Sequence, residues 1–170
     1  MKKDGTGGAN TNRTGLPFER STKLVDSLVA AGFTIQERNV LRGRNTVAQL
    51  VGKSSIHQFL AEKGTVHAMP RVGRLEPDDA IYVMETDTLF VIEKKWQEVE
   101  GSTDEKIQTA VYKMYYYNYL LEGSGIKLRF IYLLNDWFKR EKYELVIKWL
   151  RENGVDIHFN SLPLSELDLE

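Results

Sequence analysis

The clearest patterning in the chain lies where apolar residues recur at helical spacing or alternate. "LPFERSTKLVDSLVAAGF" places Phe18, Leu24, Val25, Leu28 and Val29 at roughly helical intervals, with Pro17 suited to a first turn and Gly32 to a stop. "FTIQER" alternates and predicts a short strand. "LRGRN" predicts a loop within residues 39 to 52, and "SSIHQFLAEKG" a short helix ending at Gly64. "AIYVMETDTLFVIEKKW" is two β runs about a polar turn, which predicts a hairpin. "STDEKIQTAVYKMYYYNYLLEGSG" predicts the longest helix, apolar on several faces and so packed on more than one side. "KLRFIYLLN" predicts a strand, "REKYELVIKWLRENG" an amphipathic helix and "VDIHF" a last short strand. The expected order is α-β-α-β-β-α-β-α-β. The fold class this predicts is α/β, a central mixed sheet flanked by helices.

The 170 residues fit one domain. Residues 1–15, "MKKDGTGGANTNRTG", predict a flexible arm. Residues 16–160 hold the domain, and 161–170 form an acidic C-terminal tail. Cysteine is absent, which excludes disulfides, thiolate metal sites and a cysteine nucleophile. No apolar run is long enough to span a membrane, and the lysines at the start precede no apolar signal segment. A cytoplasmic protein without a membrane partner is expected. Net charge is −1 but uneven. Between residues 38 and 74, Arg38, Arg42, Arg44, Lys53, Lys63, Arg71 and Arg74 face only Glu62, whereas the C-terminal thirty residues are acidic. That asymmetry suits a polyanion on one side, or simply a solvated surface.

The second hairpin strand, "LFVIEKKWQ", reads as core yet carries Glu93, Lys94 and Lys95. Alternation puts Leu89, Val91, Glu93, Lys95 and Gln97 on one face and Phe90, Ile92, Lys94 and Trp96 on the other. With Met84 opposite Leu89, Asp78 faces Lys95 and shares the face of Glu93; Asp79 and Lys94 take the opposite face. A three-residue turn would exchange Asp78 for Asp79. Two carboxylates so placed can hold a hard divalent cation, which polarises a phosphoryl oxygen and lowers the pKa of a water. A neighbouring lysine can offset charge building on a phosphate. The plainer reading of the same residues is a cross-strand salt bridge.

Pro77-Asp78 followed by Glu93-Lys94-Lys95 on a hairpin, between an early helical acid and a following helix, resembles the PD-(D/E)XK nuclease superfamily, over roughly residues 16 to 158. "GGANTNRTGLPFE" and "EKKWQEVEGSTDEKIQTAVYK" resemble its type II restriction endonuclease branch. The resemblance implies a restriction-endonuclease-like core and a Mg²⁺-dependent endonuclease (Mn²⁺ substituting) that cuts double-stranded DNA as a homodimer. It implies that Asp78 and Glu93 are metal ligands and Lys95 the catalytic lysine. Glu19 would be a further acid near the metal, unless it only stabilises a helix N-terminus. Asn10, Asn12 and Arg13 in the arm carry groups that bond base edges and phosphates, and Arg42, Arg44, Arg71 and Arg74 lie where a duplex can pass. Gln97 and Gln108 complete the expected DNA contacts. The competing expectations are a structure-selective, repair or phage endonuclease on the same core, and a non-cutting DNA-binding or assembly subunit.

Overall fold

A computed structural model describes Phe18 and residues 21–63, 67–100 and 103–169. The expected arm with Asn10, Asn12 and Arg13, and the acid Glu19, lie outside the described residues. Helix α1 (Leu24–Ala30) is followed by strands β1 (Thr34–Gln36), β2 (Asn39–Arg42) and β3 (Asn45–Leu50), then helix α2 (Ser55–Lys63). The hairpin is β4 (Asp79–Val83) and β5 (Thr88–Lys95). Helix α3 (Thr103–Lys106) passes through a 3₁₀ turn (Ile107–Thr109) into α4 (Ala110–Leu121). Strand β6 (Lys127–Leu134), helix α5 (Glu144–Glu152) and strand β7 (Val155–Phe159) complete the sheet.

The seven strands lie side by side in chain order. Pairing is antiparallel from β1 to β5 and parallel from β5 to β7. The molecule is therefore an α/β protein with a mixed sheet flanked by helices. Two strands exceed the expected order, because "LRGRN" is the middle of a hairpin. Gly43 and Arg44 make a two-residue turn closed by Arg42 and Asn45. Gly43 takes φ +64, as a turn with glycine first among its central residues requires. No helix among the described residues is long and apolar enough to cross a membrane.

Each sheet face buries its own core. One face packs Tyr82, Leu89, Val91, Phe130 and Tyr132 against Ile56 and Phe59 of α2, Tyr117 of α4 and Leu150 of α5. The other packs Ile81, Phe90, Ile92, Ile131 and Leu133 against Phe18 and α1. Leu167 and Leu169 join this second core, so the C-terminal acidic segment is anchored on the sheet. Central β5 is thus buried on both sides, which accounts for its near-continuous apolar sequence.

The hairpin register differs by two residues from the expected one. Tyr82, not Met84, lies opposite Leu89, and Val83 with Thr88 closes the turn. Residues 84–87 form that turn, with Asp87 in the left-handed region at φ +50. The Tyr82 hydroxyl donates to the Asp87 carboxylate and ties the turn to the strand. That bond, then burial, then the carboxylate's charge push the Tyr82 hydroxyl up to about 12. Shifting the register by two residues preserves face parity. Asp78 therefore keeps the side of Glu93 and Lys95, but stands nearest Glu93 rather than opposite Lys95.

Candidate active site

Four chemistry-bearing side chains meet where β5 ends, at the carboxyl ends of the parallel strands. This is where open α/β sheets characteristically bind ligands. Glu93 continues the inward row of Leu89 and Val91 on the face covered by α4, and its side chain is only 4% exposed. Its Oε2 accepts from Lys95 Nζ at 2.9 Å and from Lys113 Nζ at 2.7 Å. Lys113 comes from α4. Lys95 Nζ also donates to the Lys94 carbonyl at 3.1 Å and lies 3.8 Å from Asp78 Oδ2. Buried carboxylates are costly unless paired, and here the pairing is double.

Asp78 sits one residue before β4, half-exposed, and its position is fixed twice. Its Oδ2 accepts from the Lys94 amide at 2.7 Å. The backbone on either side of it is strapped down by residues 51–53: Val51 N–H donates to Ala80 O at 2.8 Å and Lys53 N–H to Pro77 O at 3.1 Å. Gly52 permits this approach. A Cβ built there would stand 2.8 Å from Ala80 N and 3.0 Å from Asp79 Cα, a contact no side chain tolerates. Just beyond that end of β5, Gln97 N–H donates to Asn135 Oδ1 and Asn135 Nδ2 donates to Gln97 O. This exchange locks the exit of β5 to that of β6.

The floor of the site is aromatic. Tyr132 lies beside Glu93 across β5 and β6, its ring 5.8 Å from Lys95 Nζ. Tyr117 of α4 is fully buried nearby. Burial raises both hydroxyls well above the ordinary tyrosine value, and the negative charges of Glu93 and Asp78 add to this. At Tyr132, the nearby Thr109 side chain offsets part of the rise. Both hydroxyls therefore stay protonated beneath the carboxylates.

The donor set suits a hard cation. One ammonium, Lys95 Nζ, is surrounded within 4 Å by three oxygens: Glu93 Oε2, Lys94 O and Asp78 Oδ2. All are hard donors, and the exposure of Asp78 leaves that side open to water. Mg²⁺ favours one or two carboxylates together with retained waters. Asp78 and Glu93 would hold such an ion, with the Lys94 carbonyl at hand.

The remaining expected residues divide into two groups. Arg71 and Arg74 are exposed on the segment leading into Asp78, and Arg74 Nε donates to Pro70 O. Arg42 and Arg44 sit at the β2–β3 turn, beside Met84 and Glu85 and so at the opposite end of the sheet. Arg42 there lies over the Phe33 ring. Gln108 is exposed in the 3₁₀ turn before α4, whereas Gln97 is buried. Lys94 and Asp79 form an ion pair on the opposite sheet face, beside Ser21, Thr22 and Ser161.

Sequence reasoning missed Lys113. One signal pointed to it: it is the single charged residue in the twelve of α4, "AVYKMYYYNYLL". In a helix packed along its length, a lone charge needs a partner inside.

These features define an α/β protein with a carboxylate–lysine cluster at the carboxyl edge of a mixed sheet. No family model matches the chain, nor does any curated protein or any solved structure.

Proposed function

We propose that this protein is a divalent-metal-dependent endodeoxyribonuclease acting on double-stranded DNA, built on a restriction-endonuclease-like core. The observation that carries the reading is the gathering of Asp78, Glu93 and the Lys94 carbonyl around one lysine ammonium at a strand end. A structural ion pair needs one carboxylate for one ammonium. Here two carboxylates, one of them half-exposed, and a backbone carbonyl converge on the same ammonium.

In the reaction, water oxygen bonds phosphorus as one ester P–O bond breaks. The leaving alcohol gains a proton, and one water is consumed. A divalent cation held at Asp78 and Glu93 supplies Lewis acidity toward the phosphoryl oxygen. Lys95, aimed by Glu93 and the Lys94 carbonyl, offsets charge on the phosphate and orients the attacking water. Arg71 and Arg74 meet the duplex backbone on the approach to Asp78. The restriction-type reading includes two copies of the chain acting on both strands of one site.

A specific observation favours a second reading, a structure-selective endonuclease. Tyr112, Tyr115 and Tyr119 are exposed along α4, and the Tyr115, Tyr119 and His67 rings form a continuous stack. Exposed ring stacks suit unpaired bases.

Incubation of the wild type and Glu93→Ala with plasmid and with branched DNA, in Mg²⁺ or in EDTA, tests both. Discrete plasmid fragments that require Mg²⁺ and Glu93 support the first reading. Cutting confined to branched DNA supports the second. No cutting of either substrate sinks both.

A further inference from the structure

We propose that Lys113 is a second phosphate-directed ammonium of this site, held on Glu93 while substrate is absent; the proposal rests on the nuclease reading above. Lys113 and Lys95 bond the same oxygen, Glu93 Oε2. Lys95 alone already gives the buried carboxylate a charged partner at 2.9 Å, so the second ammonium exceeds what burial requires. Keeping it is costly. Lys113 extends from a helix otherwise free of charge, among Val111, Met114, Tyr116 and Tyr117, and Glu93 is its single ion-pair partner among the described residues.

Charge explains the expense. Asp78, Glu93, Lys95 and Lys113 sum to zero. A divalent cation adds two positive charges. A bound phosphodiester with a neutral water carries one negative charge; once that water has given a proton to solvent and its oxygen attacks, the two together carry two. With Lys113 the assembly reaches neutrality at the transition state; without it, one negative charge is left over. An interaction that matches the transition state better than the ground state raises kcat. A cation sharing the charge of Glu93 would weaken its hold on Lys113, and a substrate phosphate would then be the next anion presented to that ammonium.

The test uses the full chain with Lys113→Met, Lys113→Arg and Lys148→Met, the last at an exposed α5 lysine that pairs with Glu152. Three quantities are measured: steady-state plasmid cleavage in Mg²⁺, duplex binding by fluorescence anisotropy with Ca²⁺ in place of Mg²⁺, and Mn²⁺ binding without DNA by electron paramagnetic resonance. Lys113→Met is expected to lower kcat about 100-fold, the size found for removing one charge-stabilising donor. It is also expected to weaken duplex binding in Ca²⁺ and to tighten Mn²⁺ binding severalfold, because the competing ammonium is gone. Lys113→Arg restores most of the rate, and Lys148→Met leaves all three values near wild type. A purely structural Lys113 would instead give looser Mn²⁺ binding, a lower melting temperature and an unchanged kcat, and that pattern overturns the proposal. If Lys113→Met does not fold, Lys113→Gln carries the same three measurements. If the wild type cuts no DNA with any divalent ion, the nuclease reading fails by itself. The two binding measurements then decide on Lys113, and unchanged Mn²⁺ and duplex affinities in Lys113→Met refute it.

Discussion

Asp78-Asp79 and Glu93-Lys94-Lys95 place acids and lysines on both faces of the same sheet edge, and the two faces treat them differently. On one face Lys94 and Asp79 neutralise each other, one for one, against α1 and the C-terminal segment. On the other, a buried glutamate takes two ammonium groups while Asp78 stays half-exposed beside them. The residue types are the same, and what separates the faces is the helix above. Opposite Glu93, α4 contributes a lysine and two buried tyrosines; the second core contributes phenylalanine, leucine and valine. A sheet edge becomes a candidate for chemistry when its cover brings a second ammonium to a buried carboxylate that already holds one.

The contrast breaks most directly at its carboxylates. Glu93→Ala is expected to lower plasmid cleavage by about 1,000-fold or more, by analogy with loss of a key electrostatic group. Asp79→Asn should leave the rate within a few-fold. Equal losses would mean the faces are not distinct. The lysines give a smaller version of the same test. Lys95→Met should cost about 100-fold in rate, and Lys94→Met only a modest loss of stability, about 1 kcal/mol for a partly exposed ion pair. Initial cleavage rates and urea melts report the two effects separately.

Backbone geometry sharpens the comparison further. Gly52→Ala drives a methyl into Ala80 N and Asp79 Cα, so β4 must shift at its start, next to Asp78. A destabilisation of about 1–3 kcal/mol is expected, as for other overpacked sites, together with a rate loss in the folded fraction. Gly43→Ala, at φ +64 in the β2–β3 turn with open space around it, should cost about 1 kcal/mol by backbone strain alone. Its cleavage rate should stay unchanged. If both variants lose activity in proportion to stability, Gly52 does not position Asp78.

Much of this edge was legible in the sequence because strand alternation is robust. Glu93 and Lys95 share a face in any register, and a register shift by two residues left Asp78 with them. What alternation does not encode is the direct pairing. The turn fixed that, through Tyr82 and the left-handed Asp87. Strands β2 and β3 were hidden because two basic residues flanking Gly43 look like a loop, although Gly-Arg is a legitimate two-residue hairpin turn. Lys113 was out of reach for a different reason. Its contact with Glu93 spans twenty residues and exists only because α4 crosses the face of β5. Helical periodicity gives the stripe that is buried, not the strand it meets. The spread of arginines between the two sheet ends was likewise invisible, since residues 42 and 74 are near in sequence but separated by the strand directions.

The finest distinction between the faces lies in their cores. The site-side core contains Tyr82, Tyr116, Tyr117, Tyr132 and Tyr143, and the opposite core contains no tyrosine among its described residues. The Tyr117 hydroxyl is buried without a hydrogen-bond partner among the described residues. Removing an unsatisfied buried hydroxyl relieves its desolvation penalty, so Tyr117→Phe should raise stability at neutral pH by about 1 kcal/mol. The alkaline limb gives an independent check with a definite sign. Burial, then the charge of Glu93, holds the folded-state pKa of Tyr117 far above 10. An unfolded tyrosine loses its proton near pH 10. Above that pH the unfolded chain binds fewer protons than the folded one, so stability falls as pH rises. The protonation-linked stabilisation is complete below about pH 10 and is lost above it. Urea melts of wild type and Tyr117→Phe between pH 8 and 11 should therefore run parallel up to about pH 10 and then separate, the variant losing less. Parallel curves throughout would show that Tyr117 is not buried against the site carboxylates, and that the two cores differ in composition without differing in their coupling to charge.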